Sequence, residues 1–555
     1  MSFAIEIAIA FKRAAIDRIP RVNYRLSHAA PTILARPLMR RAIVLAGLLS
    51  ATMSGCTNFA DAPEAPVAVA ALPAAFPKVE IAGAYRPAQW WTGFEDPVLD
   101  AVVSRALARN LDIAEAAARL ARANAQARIA RSAQLPSLDA TVGTSFSDSP
   151  LAGSGFGSFG QAAPAGDVDA PTLPPDAQVA APTRLQVENY GIGVAASYEV
   201  DIFGRVLNDA LAARSDAQAA AFDVQTVQLA AAAEAISTYF DIVDARRQIE
   251  LTLASVDILT DRVARAEDRF ARGLGESFEL YRVRQDLRVA QASLPVRESA
   301  LRNATSRLAL VLRDVPQAVD SRLDTALRPR LVFDPVPSGL PVELLSQRPD
   351  VAAAYTRFES ARLRIGARRA ERYPAIRLTG SLGTQAGDPL GAFDIIDNWA
   401  LSLASNLTAP LFNAGRIGAN IDAARATYDE AAAGYTRAVL RAYGEVAAAN
   451  AEYEEQRQRY RLVLDQLTEA EASAELQAAR FRSGVGAYTA YLDAVRAVRQ
   501  VESSLSGAGR DVALARLGVH RALGGDWAGE IVALEPVLEP PTDKTAEPPP
   551  ETANE

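Results

Sequence analysis

The residue types that most often carry catalysis or bind metals are almost absent from this chain. Its 555 residues include a single cysteine, Cys56, and two histidines, His28 and His520. Zinc sites are built from three or four ligands, mostly cysteine and histidine, and a disulfide needs two cysteines. We therefore expect no metal site, no cofactor, no internal disulfide and no cysteine nucleophile.

Two pairs of carboxylates remain as candidates for acid–base chemistry: Glu199 with Asp201, and Asp241 with Asp244. General acid–base catalysis requires a carboxyl group whose pKa is tuned by a partner. The first pair ends an alternating segment and the second lies in a long helical segment, and neither has a tuning partner nearby in sequence. We therefore predict that the chain is not an enzyme.

A glycine-rich stretch, GSGFGSFG at residues 153–160, lies within the connection 148–187. A phosphate-binding glycine loop would lie between a strand and a helix N-terminus. No helix pattern follows this stretch, so we interpret it as part of a long surface loop.

Cys56 ends a segment typical of an export signal. Residues 39–56 read MRRAIVLAGLLSATMSGC, a basic start followed by an apolar run too short to span a bilayer. The closing MSGC resembles the lipobox of bacterial lipoproteins, in which the cysteine becomes the acylated N-terminus, and each buried methylene of an acyl chain contributes about 0.8 kcal/mol of membrane affinity. The alternative is a structural cysteine after an ordinary signal. We predict lipidation at Cys56, a signal region at 1–55 (with 1–38 as a gene-model extension or a longer leader) and a tether at 56–85.

Composition narrows the class of protein. The chain is 49% hydrophobic and 22% charged, which excludes overall disorder. Its net charge of −8 argues against nucleic acid as a partner.

The body of the chain contains two similar halves, about 97–314 and 340–524, separated by a linker at 314–345. Residues 111–141 resemble residues 349–379, Gly204-Arg205 recurs as Gly415-Arg416, and a glycine turn after Arg269-Phe270 recurs after Arg480-Phe481. Such internal similarity indicates a repeated structural unit. The tail at 531–555 is rich in Pro and Glu and is typical of disorder.

Four segments alternate between apolar residues and small or polar residues. This is the pattern of transmembrane β-strands, and it makes Tyr190, Tyr198 and Trp399 candidate interfacial aromatics. Four strands are too few to close a barrel, and an open edge is not tolerated in lipid, so several chains must share one barrel. The predicted strands are 136–147, 189–202, 375–384 and 399–411.

Long helices follow the strands. No proline occurs from Gly204 to Phe270, and a helix of that length would extend roughly 100 Å. Apolar residues at alternating spacings of three and four predict coiled-coil seams, and glycines predict turns that fold each long helix into a hairpin. The seam residues are Ile249, Leu253, Val256, Leu259, Val263, Ala266 and Phe270 in the first half, and Val498, Val501, Leu505, Ala508, Val512, Ala515 and Val519 in the second.

Several motifs together carry a family resemblance. The chain resembles TolC-like outer-membrane efflux proteins, specifically the NodT-type lipoproteins, over about residues 56–530, and the duct domain is expected at 86–530. The motifs are Trp90-Trp91, Phe94-x-Asp96-Pro97-x-Leu99, Tyr198 to Arg205 (YEVDIFGR), Gly339-Leu340-Pro341, Arg348-Pro349-Asp350, Ala409-Pro410-Leu411-Phe412 and Leu492-Asp493-Ala494.

The resemblance implies a fold class: four transmembrane strands and long coiled-coil hairpins per chain, with a homotrimer forming a twelve-stranded barrel and an α-helical periplasmic tunnel. It implies an outer-membrane location among outer-membrane lipids. The implied function is a passive exit duct for small molecules that docks to a periplasmic adaptor protein and an inner-membrane pump.

The resemblance also implies site residues. It places Asp493 at a periplasmic aperture, with Arg482 and Arg496 as candidates for the contacts that close it. It implies that the hairpin tips contact the adaptor, and the tip residues are Gly273, Leu274, Gly275, Gly484, Val485 and Gly486. For Asp493, a solvated helix face is the alternative.

Two other functions remain open at this point. One is the outer-membrane duct of a type I protein secretion system. The other is a lipid-anchored periplasmic adaptor or structural coiled coil, which would lack the four alternating strands.

Overall fold

The computed structural model describes residues 89–150, 184–323, 329–334, 336 and 348–525. Several sequence predictions therefore lie outside the described residues. These are the signal region 1–55, lipidation at Cys56, the tether 56–85, most of the loop 148–187, the motif Gly339-Leu340-Pro341, much of the linker 314–345 and the tail 531–555.

Long helices dominate the described chain, and four strands lie between them. A short 3-10 helix at Trp90–Phe94 comes first. The α-helices are α1 Pro97–Arg109, α2 Leu111–Ser132, α3 Arg205–Ala271, α4 Ser277–Val311, α5 Pro316–Arg322, α6 Pro349–Ala370, α7 Arg416–Arg482 and α8 Tyr488–Ala522. The strands are β1 Ser137–Pro150, β2 Arg184–Val200, β3 Ala375–Thr384 and β4 Trp399–Thr408.

The two halves repeat one order of elements with equal helix lengths. In each half a helix of 22 residues leads into two strands (α2 and α6). A helix of 67 residues follows (α3 and α7), and a helix of 35 residues returns (α4 and α8). We refer to α3 with α4 as the first hairpin and to α7 with α8 as the second hairpin.

The four strands form one antiparallel sheet in the order β1-β2-β3-β4. Ser197 pairs with Thr379 between the central strands, and Thr384 pairs with Trp399 at the far end of the second strand pair. Within the described residues β1 and β4 each have one neighbour, so both edges of the sheet lack a partner strand.

Four strand boundaries differ from the predicted ones by more than one residue. β1 continues to Pro150 and β2 begins at Arg184, because the two strands pair along this whole length. β2 ends at Val200, two residues before the predicted end, and β4 ends at Thr408 rather than at residue 411. Pro410 follows, and a proline cannot donate a hydrogen bond to a neighbouring strand.

Side-chain caps begin the first two helices. The Asp96 carboxylate accepts from the backbone N–H of Val98 at 2.9 Å, with Pro97 in the first turn. The Asn110 side chain accepts from the N–H of Asp112 at 2.9 Å. These caps satisfy amides that an α-helix leaves unpaired, so the motif residue Asp96 has a structural role.

The largest apolar core lies around the middle of α3, where the 3-10 helix, α1, α5 and the C-terminal parts of α4 and α8 meet. Trp90 stacks on His520 with ring centroids 5.2 Å apart. Burial, and then the nearby Arg516, lowers the pKa of His520 to about 3. Burial and the bond from the Tyr239 hydroxyl to Asp96 (2.6 Å) raise the pKa of Tyr239.

The predicted seam of α3 is partly wrong. Leu253 is 49% exposed and Phe270 is 46% exposed. The buried stripe of this part of α3 runs instead through Gln248, Leu251, Leu259 and Arg262. Leu259 belongs to both the predicted seam and this stripe, but Gln248 and Arg262 are polar, so a search for apolar residues alone does not find them. In α8, by contrast, Val501, Ala508, Val512, Ala515 and Val519 are buried as predicted.

Candidate functional site

Polar side chains join the first hairpin to the second where α3 passes α8. The Gln248 amide donates to the Ser503 carbonyl at 2.8 Å, and the Ser503 hydroxyl returns a bond to the Gln248 amide oxygen at 2.6 Å. Nearer the tips, the guanidinium of Arg265 lies 4.8 Å from the ring centroid of Tyr488. The name α3–α8 contact is used below for six residues: Gln248, Arg262 and Arg265 on α3, and Tyr488, Asp493 and Ser503 on α8.

Asp493 lies in this contact and binds Arg262. Arg262 Nη1 is 3.2 Å from Asp493 Oδ1, and the side chains are 6% and 50% exposed, respectively. A guanidinium buried to this extent requires a counter-charge, because desolvation of an unpaired charge is costly. Asp493 therefore has a structural partner in its own chain while half of its side chain faces solvent.

The two arginines predicted at the aperture have different contacts. Arg496 Nη1 lies 3.2 Å from Asp286 Oδ2, which joins α8 to α4. Arg482 donates through Nε to the carbonyl of Ala478 at 3.3 Å, on its own helix. Among the described residues, Arg496 thus joins the two hairpins and Arg482 does not.

Both hairpin tips use the same helix C-cap. Gly273 and Gly484 have φ of 69° and 75°, a left-handed conformation that glycine adopts without a Cβ clash. The N–H of the following residue returns to the last turn, from Leu274 to Arg269 O at 2.9 Å and from Val485 to Arg480 O at 3.1 Å. This is the Schellman arrangement. Gly275 and Gly486 follow, and a Cβ on Gly486 would meet Arg480 at 2.9 Å.

The tips expose apolar side chains. Leu274 is 69% exposed and Val485 is 74% exposed, and beside the first tip Phe278 and Tyr281 are 73% and 67% exposed. An exposed apolar group of this kind is typical of a surface that contacts another protein.

The strand registers place the apolar residues on one face of the sheet. Leu382 pairs with Val194 on one side and with Leu401 on the other, and Leu138 pairs with Ala196. The opposite face carries small and polar residues, such as the pair Ser381 and Ser402. Large residues of the apolar face remain uncovered: Leu138, Val142, Phe146, Leu382, Trp399, Leu401, Leu403 and Leu407.

The three candidate interfacial aromatics share this apolar face but lie at its two ends. Tyr190 bridges to Ala386 and Trp399 pairs with Thr384, both near the end with the strand connections. Tyr198 lies eight residues further along β2, close to α3. At about 3.4 Å per residue, the two levels are roughly 27 Å apart along the strand.

The carboxylate pairs have structural contacts. Glu199 binds Arg205 at 2.7 Å, and Asp201 accepts from the N–H of Leu207 at 2.7 Å in the first turn of α3. Asp241 binds Arg307 at 2.6 Å, and Asp244 accepts from the Ser506 hydroxyl at 2.6 Å.

Sequence reasoning missed Arg262, Gln248 and Asp286. The spacing of Gln248, Leu251, Leu259 and Arg262 is a helical stripe that the sequence does contain. An apolar pattern does not reveal it, because its first and last members, Gln248 and Arg262, are polar. No sequence pattern marks Asp286 as a contact residue, because its partner Arg496 lies far away in the sequence.

Among the described helices, none is both long and apolar enough to cross a membrane. Nor do the described residues include three His, Cys, Asp or Glu side chains grouped as metal ligands.

Comparisons with known proteins agree with this architecture. A family model described as outer membrane efflux protein matches residues 102–312 and 340–525. The pyoverdine export outer membrane protein OpmQ of Pseudomonas aeruginosa is 28% identical over 448 residues, covering 80% of this chain and 88% of OpmQ. Outer membrane protein OprJ of the same species is 29% identical over 490 residues, covering 87% of this chain and 96% of OprJ.

Solved structures show the same fold. A membrane protein from Pseudomonas aeruginosa superposes with a TM-score of 0.69 at 26% identity, covering 81% of this chain and 100% of that protein. The outer-membrane channel OprN superposes with a TM-score of 0.71 at 24% identity, covering 84% of this chain and 99% of OprN. With a family model matched over both halves, the chain belongs to the outer membrane efflux protein family.

Proposed function

We propose that this protein is the outer-membrane channel of a tripartite efflux system. Three copies share one barrel and one helical tunnel, and the assembly is a passive exit duct for small molecules. A periplasmic adaptor protein docks to the duct, and an inner-membrane pump supplies the energy for transport.

The uncovered apolar face of the sheet carries this proposal. Val142 is 78% exposed and Leu403 is 79% exposed, and a water-soluble sheet would cover such a face with another layer. In lipid the apolar face needs no cover, but the two edge strands still need partners. Further copies of the same chain supply these partners, because β4 of one copy can pair with β1 of the next.

The hairpin tips are the proposed docking surface for the adaptor. α3 and α7 each lead roughly 100 Å away from the sheet, and both end in turns that expose Leu274 and Val485. Gly273, Gly275, Gly484 and Gly486 give these turns their shape.

The α3–α8 contact, together with the Arg496–Asp286 pair that joins α8 to α4, is the proposed periplasmic aperture. Asp493, Arg496 and their partners Arg262 and Asp286 hold the hairpins together, so loss of these contacts would widen the tunnel. Among the described residues, Arg482 donates only to its own helix, and any role in closure would require a neighbouring copy.

Small molecules are the proposed cargo. Three relatives that are each 28% identical are named for pyoverdine export, solvent efflux and toluene efflux, which favours small molecules over the proteins that a type I secretion duct carries. We further propose that the duct performs no catalysis, because the carboxylate pairs are engaged in helix caps and ion pairs.

The test is complementation together with the oligomeric state. The chain is produced with its cognate pump and adaptor in a bacterium that lacks its own outer-membrane efflux channel. Drug resistance should return, and native mass spectrometry of the detergent-extracted protein should show three copies. A monomer that stays in the periplasmic fraction would instead identify an adaptor or structural coiled coil.

A further inference from the structure

The connection between β3 and β4 exposes a group of large apolar side chains. Residues 385–398, which we call the β3–β4 loop, contain a 3-10 helix at Gly391–Phe393. Four side chains of the loop are between 71% and 83% exposed: Leu390, Phe393, Ile395 and Ile396. Large apolar groups clustered on a surface are typical of a contact with another apolar surface.

The β3–β4 loop folds onto the apolar face of the sheet. Thr384 lies on that face, because it follows Leu378 and Leu382 with the two-residue period of a strand. Its hydroxyl donates to the carbonyl of Ala392 in the loop at 2.5 Å. Thr384 is 5% exposed, whereas Leu382 on the same face is 57% exposed. The loop therefore covers the apolar face at Thr384 and leaves the rest of that face open.

A second contact lies on the same side of the sheet. Ala386, just beyond β3, bridges to Tyr190 on the apolar face. The Cβ of Ala386 lies 2.9 Å from the position that a Cβ on Gly391 would occupy, so a larger residue could not lie so close. The loop therefore leaves from the rim of the apolar face and returns onto it, and the candidate interfacial aromatic Trp399 begins the next strand.

Side chains of the β3–β4 loop satisfy several of its own backbone N–H groups. The Asp388 carboxylate accepts from two of them, and the bond from the Gly391 N–H is 2.8 Å long. The Asp394 carboxylate accepts from the N–H groups of Ile396 and Asp397 at 3.1 and 3.2 Å. Water could pair these groups in solution, but lipid cannot. The internal pairing therefore suits a loop that is in contact with lipid.

The β3–β4 loop lies at the end of the strands that is remote from the long helices. α6 leads into β3 and α7 follows β4, so both helices meet the sheet at the end opposite to the loop. In the proposed function the helices extend into the periplasm, which places the loop at the outer surface of the outer membrane.

We propose that the β3–β4 loop inserts its apolar side chains into the outer leaflet beside the barrel, where they contact lipid acyl chains. The inserted residues are Leu390, Phe393, Ile395 and Ile396. This inference rests on the proposed function, in which the apolar face of the sheet meets lipid. It adds a second lipid contact to each chain, made by a loop and not by a strand.

Insertion is shallow. Amphipathic segments that lie in a membrane surface bury their apolar groups about 5–10 Å into the boundary between headgroups and acyl chains. The β3–β4 loop also carries Asp388, Asp394 and Asp397, and ionised carboxylates are costly in the acyl region. These three side chains therefore remain at the level of the headgroups while the apolar ones lie below them.

A neighbouring copy of the chain is the other occupant to consider. In the proposed barrel the copies meet through the edge strands β1 and β4. The loop instead contacts Thr384 on β3 and bridges through Ala386 to Tyr190 on β2, and these are the two central strands. Its position over the middle of the apolar face favours lipid.

Collision measurements on nitroxide labels test the proposal. Phe393→Cys and Ile396→Cys are made in the full-length protein, labelled, and reconstituted into vesicles of phosphatidylethanolamine and phosphatidylglycerol. Each label is exposed to oxygen, which concentrates in lipid, and to a water-soluble nickel chelate. The parent, whose one cysteine is Cys56, is labelled in parallel to give the background.

Two adjacent residues of β4 provide the matched controls. Leu401 lies on the apolar face and Ser402 on the opposite face, and both are exposed. Leu401→Cys should report lipid and Ser402→Cys should report water. For Phe393→Cys and Ile396→Cys, we expect an oxygen-to-nickel ratio close to that of Leu401→Cys and several-fold above that of Ser402→Cys.

The other outcomes separate this inference from the proposed function. If Leu401→Cys favours oxygen while both loop labels collide with nickel as Ser402→Cys does, the loop is in water and the proposal is wrong, but the membrane-spanning sheet stands. Loop labels shielded from both reagents would identify a neighbouring copy as the occupant and would also overturn the proposal. If Leu401→Cys itself favours nickel, the proposed function fails and this inference fails with it.

Discussion

Arg262 on α3 donates a hydrogen bond to Asp493 on α8, with 3.2 Å between Nη1 and Oδ1, and this bond crosses from the first hairpin to the second. The buried guanidinium depends on a carboxylate that is itself half exposed. Asp493 therefore forms an ion pair that joins α3 to α8, and it is also a candidate lining residue of the aperture.

Asp493→Asn should weaken closure of the tunnel. The variant leaves the charge of Arg262 buried without a counter-charge, which we expect to cost about 1–3 kcal/mol of local stability. Single-channel conductance in planar bilayers should increase, and selectivity for cations and block by divalent cations should decrease. Asp493→Glu should retain most of the parent's behaviour.

Asp257→Asn is the control for this change, because Asp257 is exposed on α3, the helix that carries Arg262. If Asp493→Asn and Asp257→Asn conduct alike, Asp493 does not contribute to the aperture.

Gly484→Ile should disturb the tip of the second hairpin. Gly484 has φ of 75°, and no atom lies within 4 Å of a Cβ built there. The penalty is therefore in the backbone, on the order of 1–2 kcal/mol for a residue with a Cβ in this conformation. Adaptor crosslinking and drug export should both fall.

Gly484→Asn is the matched variant, since asparagine tolerates the left-handed conformation. It should dock and export much as the parent does. Unchanged crosslinking and export in Gly484→Ile would mean that this tip is not the docking surface.

His520 should make the protein less stable in acid. Its pKa is about 3 in the fold because of burial and then Arg516, against about 6.5 in an unfolded chain. The unfolded state therefore binds the proton first, and stability is lost as pH falls below about 6.5. Between pH 6.5 and 5.0 this amounts to about 2 kcal/mol per chain.

The test is to measure the free energy of unfolding of the parent and of His520→Phe at pH 6.5 and at pH 5.0. The variant should lose about 2 kcal/mol less than the parent. His28 lies in the predicted signal region, so His520 is the one histidine of the predicted mature chain. No second histidine would then contribute to the pH dependence between pH 6.5 and 5.0. Equal losses would show that His520 does not stay neutral in the fold.

Cys56 should be the acylated N-terminus of the mature protein. Intact-mass measurement of the membrane-extracted chain should show that residues 1–55 are missing and that acyl mass is present. Cys56→Ser should remove the acyl mass and leave the signal region uncleaved at this site. An unmodified chain that begins elsewhere would contradict lipidation.

The sequence by itself determined the elements and their repetition. Strand alternation and helix periodicity are local patterns of one chain, so the four strands, the long helices and the glycine turns could be read from it directly. The family resemblance rests on the same kind of local signal, since a motif residue such as Asp96 caps the helix that follows it.

Only the tertiary structure decided which faces meet. The buried stripe of α3 includes Gln248 and Arg262, because their polar groups find partners on α8 and can therefore be buried without a large desolvation penalty. Arg262 and Asp493 are 231 positions apart in the chain. A pairing over that separation depends on how two hairpins pack, and no periodicity within either helix contains that information.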